Sequence, residues 1–221
     1  MLASSIQKVP KSASLREQIG ESLSAAIVSG ELAPGTLVSV PGLAAEFGVS
    51  ATPVREAILD LEKRGFVCSV ANKGFRVTEV SRSDLVDIIE LRTMLEAPTM
   101  GALAVITPPV EMPKWRELAD RISSYADAGS LTEFLEADRE FHLGLLELHG
   151  NSRLVAMVTE LRSQTRMVNI AKMANTPELS KSGQEHHEML DLMEHGKAAE
   201  LEALMGSHLA HVLAWWGPPV T

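Results

Sequence analysis

From Ser81 to the end of the chain, apolar residues recur at helical spacing, stretch after stretch, with only brief interruptions. The breaks fall at Thr107-Pro-Pro109, Gly129-Ser130, Gly150-Asn151, Thr176-Pro177 and His195-Gly196. They predict six helices over 82–105, 110–128, 130–149, 151–174, 177–195 and 197–216. Connections this short turn each helix back on its predecessor. A chain patterned in this way is confined to an antiparallel α-helical bundle, an architecture that places sites between facing helices.

The first eighty residues are patterned differently. Leu15, Ile19, Leu23, Ala26 and Ile27 keep helical spacing up to Ser29-Gly30, and Pro34-Gly35 marks a turn. A short helix is expected over Pro41–Phe47, stopped by Gly48. A third begins at Thr52, where Thr52 can cap and Pro53 suits the first turn. Val54, Ile58 and Leu61 form its buried stripe, which turns Ala51, Thr52, Arg55 and Leu59 outward. Phe66–Val70 and Gly74–Thr78 then alternate as the two strands of a hairpin. Two helices joined by a tight turn, with a hairpin behind, describe a winged helix-turn-helix. The fold class is therefore mainly α, with a winged reader in 1–80 and an all-helical effector-binding and dimerisation domain in 81–221.

Charge supports that division. The chain holds 20 Lys+Arg against 29 Asp+Glu, yet residues 1–80 balance at 8 against 8, so the whole excess of acid lies in the body. A neutral head on an acidic body suggests different partners for the two parts. A single cysteine excludes a disulfide framework and makes a reducing cytoplasm the expected compartment. No apolar run reaches the ~18 residues of a membrane span, and no partner membrane is expected.

In the head, Ser50, Ala51, Thr52 and Arg55 stand at the positive end of the third helix, where phosphate or a base edge is met. Arg55 can fork onto guanine, and Lys73 and Gly74 of the hairpin can follow the adjoining backbone. The alternative is a small helical domain without a nucleic-acid role.

The body carries a second constellation. Asp138 sits among Phe134, Leu135 and Phe141, with His142 one turn further on. An ionised carboxylate on a buried stripe is costly unless it is paired or bound to metal. His186 shares a stripe with Met189, Leu190 and Met193, and His208 shares one with Leu201, Leu204, Met205 and Val212. Three helices thus turn one carboxylate and three imidazoles into one interior, a donor set for Zn or Ni, with Mn a further candidate. The competing reading is a buried Asp138–His142 ion pair with two satisfied core histidines. Arg92 lies on the Leu85, Ile88, Ile89 and Leu95 stripe and awaits an anion, an effector carboxylate or an internal partner such as Glu96 or Asp138. Arg162 and Asn169 share a polar stripe that can line the same pocket. His149, His187, His195 and His211 read as surface or helix-end residues.

Gly30-Glu-Leu-Ala-Pro-Gly35, Leu43-Ala-Ala-Glu-Phe-Gly-Val-Ser50, Thr52-Pro-Val-Arg-Glu-Ala57 and Gly65-Phe-Val67 resemble the DNA-binding domain of the GntR family of bacterial regulators. Asp138-Arg-Glu-Phe-His142, Gly150-Asn151, Glu185-His186 and His208-Leu209 are similar to the motifs of the metal-binding subset of its FadR branch, whose C-terminal domain is called FCD. The resemblance implies a homodimeric, ligand-responsive transcriptional regulator, with repression as the expected mode, on double-stranded operator DNA. It implies Asp138, His142, His186 and His208 as metal ligands and a small carboxylate effector beside them. Ala51 stands where that family usually has a base-contacting arginine, so the operator should differ from the family's usual one, or affinity should be modest. Two other readings stay open: a metal-free body holding an acyl or other apolar effector, and a helical-bundle metalloenzyme. Against the last, no His-Glu-x-x-His pattern occurs, and no general base is evident near the cluster.

Overall fold

The computed structural model describes residues 14–106, 112–165 and 173–215. Among them the order is α1 (Leu15–Ser29), β1 (Leu37–Val38), α2 (Val40–Phe47), α3 (Ala51–Lys63), β2 (Val67–Val70), β3 (Gly74–Val77), α4 (Arg82–Ile106), α5 (Met112–Ala128), α6 (Leu131–Leu148), α7 (Ser152–Thr165), α8 (Pro177–Glu194) and α9 (Ala198–Trp215). The fold is mostly helical, a winged helix-turn-helix followed by a helical domain.

Each element of the head has a local cause. Ser14 accepts from the Glu17 amide while the Glu17 carboxylate accepts from the Ser14 N–H, a reciprocal cap that starts α1. Gly30 ends it in the left-handed region at φ 84°. The start of α3 differs from expectation. Its cap position is Ser50, not Thr52, and Ser50 makes no side-chain capping bond. Pro53 fits because first-turn amides have no partner inside a helix. Ile19, Leu23 and Ile27 of α1 bury themselves with Val54, Ile58 and Leu61 of α3, beneath Phe66 and Val77. The hairpin gains a third strand, since β1 pairs antiparallel with β3 at Leu37↔Arg76 and Val38↔Phe75, giving the order β1-β3-β2. Two residues are too few to display a strand period, so only the pairing reveals β1.

In the body, α4 packs along α9 and α7, and α5 packs against α6 and α8. The predicted spans hold closely, except that the helix expected over 151–174 is described only as Ser152–Thr165. Trp115, Phe134, Phe141, Ile122, Leu145 and Met100 fill the centre. The head rests on this body at the end of α3. Arg64, the C-cap of α3, pairs with Glu136 of α6 and stacks over Phe66 at 4.8 Å. Gly65, at φ 79°, lies so close to α7 that an added Cβ would overlap the Ser163 carbonyl.

Candidate metal centre and the cavity beside it

Asp138 and His142 lie one turn apart on α6, His186 on α8 and His208 on α9. One ligand atom from each falls within 4.8 Å of all the others. The three imidazoles are buried, and the Asp138 side chain is 17% exposed. His186 Nε2 stands 3.2 Å from both Asp138 Oδ1 and His142 Nε2. Phe141 sets its neighbours edge-on, with ring centroids 4.8 Å from His186 and 5.4 Å from His142.

The outer nitrogens tell which way the lone pairs face. His186 Nδ1 is 3.2 Å from the Gly183 carbonyl oxygen, which only accepts, so Nδ1 carries the proton and Nε2 the inward lone pair. His208 Nδ1 donates in the same way to Glu185 Oε2 at 2.7 Å. Outer acceptors of this kind orient metal-binding imidazoles and raise their basicity. The donor set and its orientation therefore fit a divalent ion held by Asp138, His142, His186 and His208.

A cavity opens beside the cluster, with Asp138 and His208 in its wall together with Arg92, Arg162, Thr165 and His211. Arg92 and Arg162 do line it, but their charges already have internal partners. Arg92 donates to Glu96 Oε1 at 2.7 Å and to the Thr165 hydroxyl at 3.2 Å. Arg162 donates to Glu96 Oε2 at 2.6 Å and to Asp138 Oδ2 at 3.2 Å. The internal salt bridge is thus the geometry found at Arg92. Asn169 lies outside the described residues.

Burial alone would raise Glu96, but Arg162 and Arg92 outweigh it and bring the carboxyl to about 2. Burial also works to raise Asp138, yet the neighbouring His142 ring and the Arg162 guanidinium hold it well below the usual carboxylate range. Two of the imidazoles, His142 and His208, move towards neutrality. Burial takes His142 well below its ordinary value, with Arg162 adding to the effect, and burial lowers His208 against the pull of Glu185. Neutral imidazoles beside an ionised carboxylate are the protonation states that a metal requires.

A pH dependence follows from these directions. With folded values below the ordinary ~6.5, the unfolded chain binds protons under that pH which the folded chain refuses. Thermal melts of chelator-treated protein should be flat from about pH 8 to 7 and fall as pH drops below about 6.5. Stability that rises on acidification through that window would show the two imidazoles to be charged in the fold.

Three contributors do more than their spacing suggests: Glu96, expected only as one possible partner of Arg92, Glu185 and His211. Glu96 is fully buried one turn after Arg92, which it pairs within α4, and it joins α4 to α7 through Arg162. Glu185 stood in the Glu185-His186 motif without a function and holds His208. Its other oxygen lies 3.1 Å from His211 Nδ1, so His211 lines the cavity instead of lying on the surface as expected. The signal for Glu96 and Glu185 was acid at positions that a helical stripe buries.

On the head, Ser50, Ala51, Thr52 and Arg55 are exposed along one edge of α3, and Lys73 is exposed at the hairpin tip. Gly74 is half-buried at φ 113°, and a Cβ there would strike the Val38 carbonyl. Glycine at this position lets β1 approach β3.

A winged reader joined to a helical body with a buried His/Asp cluster and an adjoining charged cavity defines a class, the ligand-responsive DNA-binding regulators. Residues 15–77 match the family described as "Bacterial regulatory proteins, gntR family" and residues 87–211 match the FCD domain. The chain belongs to the GntR family of bacterial transcriptional regulators, with an FCD domain at its C-terminal side. It is 29% identical over 184 residues to the Nta operon transcriptional regulator of Aminobacter aminovorans, covering 82% of this chain and 85% of that one. It is 27% identical over 187 residues to the probable D-xylose utilization operon transcriptional repressor of Paenarthrobacter nicotinovorans, covering 85% and 82%. The fold is shared with the solved structure of E. coli McbR/YncC, at a TM-score of 0.69 and 21% identity over 92% of this chain and 97% of the other. Among the described residues no helix is long and apolar enough to cross a membrane.

Proposed function

We propose that this regulator acts in the cytoplasm as a homodimeric repressor on a roughly palindromic operator, with a divalent ion in the body and a small carboxylate as effector. The observation that carries the reading is the convergence of four ligand atoms within 4.8 Å, two of the imidazoles being aimed inward by Gly183 and Glu185. Three imidazoles and one carboxylate suit Zn or Ni, with Mn a further candidate. The buried charges favour an anionic effector. Glu96 and Asp138 cancel Arg92 and Arg162, so a divalent ion brings positive charge that a ligand carboxylate beside the ion would offset. The charged wall, with Arg64, Arg139, Asp138 and His211 among its residues, disfavours a long acyl chain, which would take water from the more exposed of these groups without pairing them. Repression is supported by the name that the Paenarthrobacter relative carries.

Elemental analysis of protein purified without nickel resin or chelator tests the metal, and a thermal-shift screen of small carboxylates with and without Zn or Ni tests the effector. A saturating ion bound only to the folded state should add several kcal/mol, about 2.7 at one hundred times Kd. Under about a tenth of an equivalent of metal, with no shift on adding either ion, sinks the metal reading and favours the acyl pocket.

The reader offers Arg55 to a base edge, while Ser50, Ala51 and Thr52 bring their backbone amides, which Ser50 leaves uncapped, to the phosphates. Lys73 follows the adjoining backbone. Two chains should bind each operator, since one head reads too few base pairs for useful specificity. Arg55→Ala should cost about 1–3 kcal/mol on the cognate operator and relax preference at one base pair. A gel shift identical to wild type would place the recognition surface elsewhere.

A further inference from the structure

We propose that the mouth of the cavity is an anion subsite built by Arg139 and Arg64, and that an anion there competes with Glu136 for Arg64 and so loosens the hold of the body on the DNA reader. The inference rests on the effector reading above and extends it from the metal cluster to the more exposed arginines of the cavity wall.

The cavity wall contains four arginines, and they differ in depth. The Arg92 and Arg162 side chains are 6% and 9% exposed and are tied to Glu96, whereas Arg64 is 30% exposed. Arg139 is half-buried and directly follows Asp138. The deep pair is neutralised from within. Of the outer two, Arg64 is held by Glu136, whose Oε1 takes both its Nε and Nη2 protons. Arg64 is the outlier by origin, because it caps the recognition helix α3 while every other arginine of the wall belongs to the body. It is therefore a residue of the reader standing in the wall of the effector cavity. The same joint is closed from a second side by Gly65 against Ser163, next to Arg162 on α7.

A ligand with one anionic end beside Asp138 and His208 and a second at the mouth meets Arg139 there, and offers Arg64 an acceptor equivalent to Glu136. When Arg64 exchanges partners, the ion pair joining α3 to α6 is lost. Occupancy then reaches the reader through one guanidinium. The favoured chemistry is a dianion, either a dicarboxylate or a phosphorylated acid.

The single cysteine, Cys68, is exposed on β2 and accepts a thiol-reactive fluorophore, whose anisotropy in the zinc-treated full chain reports how firmly the head is held. The probes are glutarate, its monoanionic counterpart butyrate, and inorganic phosphate. Glutarate or phosphate should lower the anisotropy at concentrations about tenfold below those butyrate needs. Glu136→Gln should lower it before any probe is added and tighten binding of the effective dianion about tenfold, while Arg139→Gln should weaken that binding by a similar factor. Whether glutarate or phosphate acts at the lower concentration distinguishes a carboxylate from a phosphoryl source. Glu136→Gln protein with wild-type anisotropy and wild-type probe affinity overturns the proposal, as does equal action of butyrate and both dianions, or no response to any of the three. Zinc titration in parallel separates the two readings. Protein that binds no zinc but still shows the Glu136→Gln and phosphate effects loses the metal reading and keeps the mouth subsite.

Discussion

Glu96→Ala should unfold the body more readily than any other single change at the site, by about 3–5 kcal/mol. Glu96 is fully buried and receives Arg92 from its own helix and Arg162 from α7. Among the described residues its removal leaves Arg92 with only the Thr165 hydroxyl and Arg162 with only Asp138. Two buried guanidiniums then have one nearby carboxylate, Asp138, which is a member of the proposed metal set. For a chain of this size the loss corresponds to a fall of about 10 °C in the melting temperature. The metal site should weaken as well, since Arg162 turns more fully onto Asp138. Thermal denaturation followed by circular dichroism, with and without Zn, measures both effects. A fall of less than about 3 °C would mean that water or other groups satisfy the two arginines.

His186→Ala should lower affinity for Zn or Ni by at least about 100-fold, since losing even an outer-shell partner of a ligand costs 10–100-fold. His186 is the ring nearest the others, with its Nε2 at 3.2 Å from both Asp138 and His142. The variant should also lose any effect of a carboxylate effector on operator binding, while basal operator binding stays near wild type because α3 and the wing are untouched. Calorimetric titration with the metal, alongside gel shifts with and without effector, checks the two halves separately. Zn affinity within about threefold of wild type would remove His186 from the ligand set.

Two acidic residues, Glu96 and Glu185, mark where spacing along one helix ends and packing between helices takes over. The stripe that buries Arg92 also buries Glu96, one turn away, and a sequence reader can foresee a pair there but not its third member. Arg162 lies 66 residues further along, and its reach to Glu96 and Asp138 depends on how α7 packs against α4 and α6. Glu185 shares a buried stripe with Ser182 and Met189 of α8, but that stripe does not say what it meets. Only the position of α9 brings His208 and His211 to it.

What the sequence by itself determined was everything local. Six helical stripes, the glycines that end several of them, the outward edge of α3 at Ala51, Thr52 and Arg55, and the inward direction of His142, His186 and His208 all follow from spacing along a single element. Such features need one period and no neighbour. What the tertiary structure alone decided was which inward groups meet: the convergence of Asp138, His142, His186 and His208, the balance of two arginines by Glu96, and the seat of Arg64 in the cavity wall. The physical reason is range. Helix periodicity fixes the direction of a side chain to within a fraction of a turn, whereas ligation and hydrogen bonding require atoms from distant elements to agree within a few tenths of an ångström, and that agreement is set by how the whole core packs.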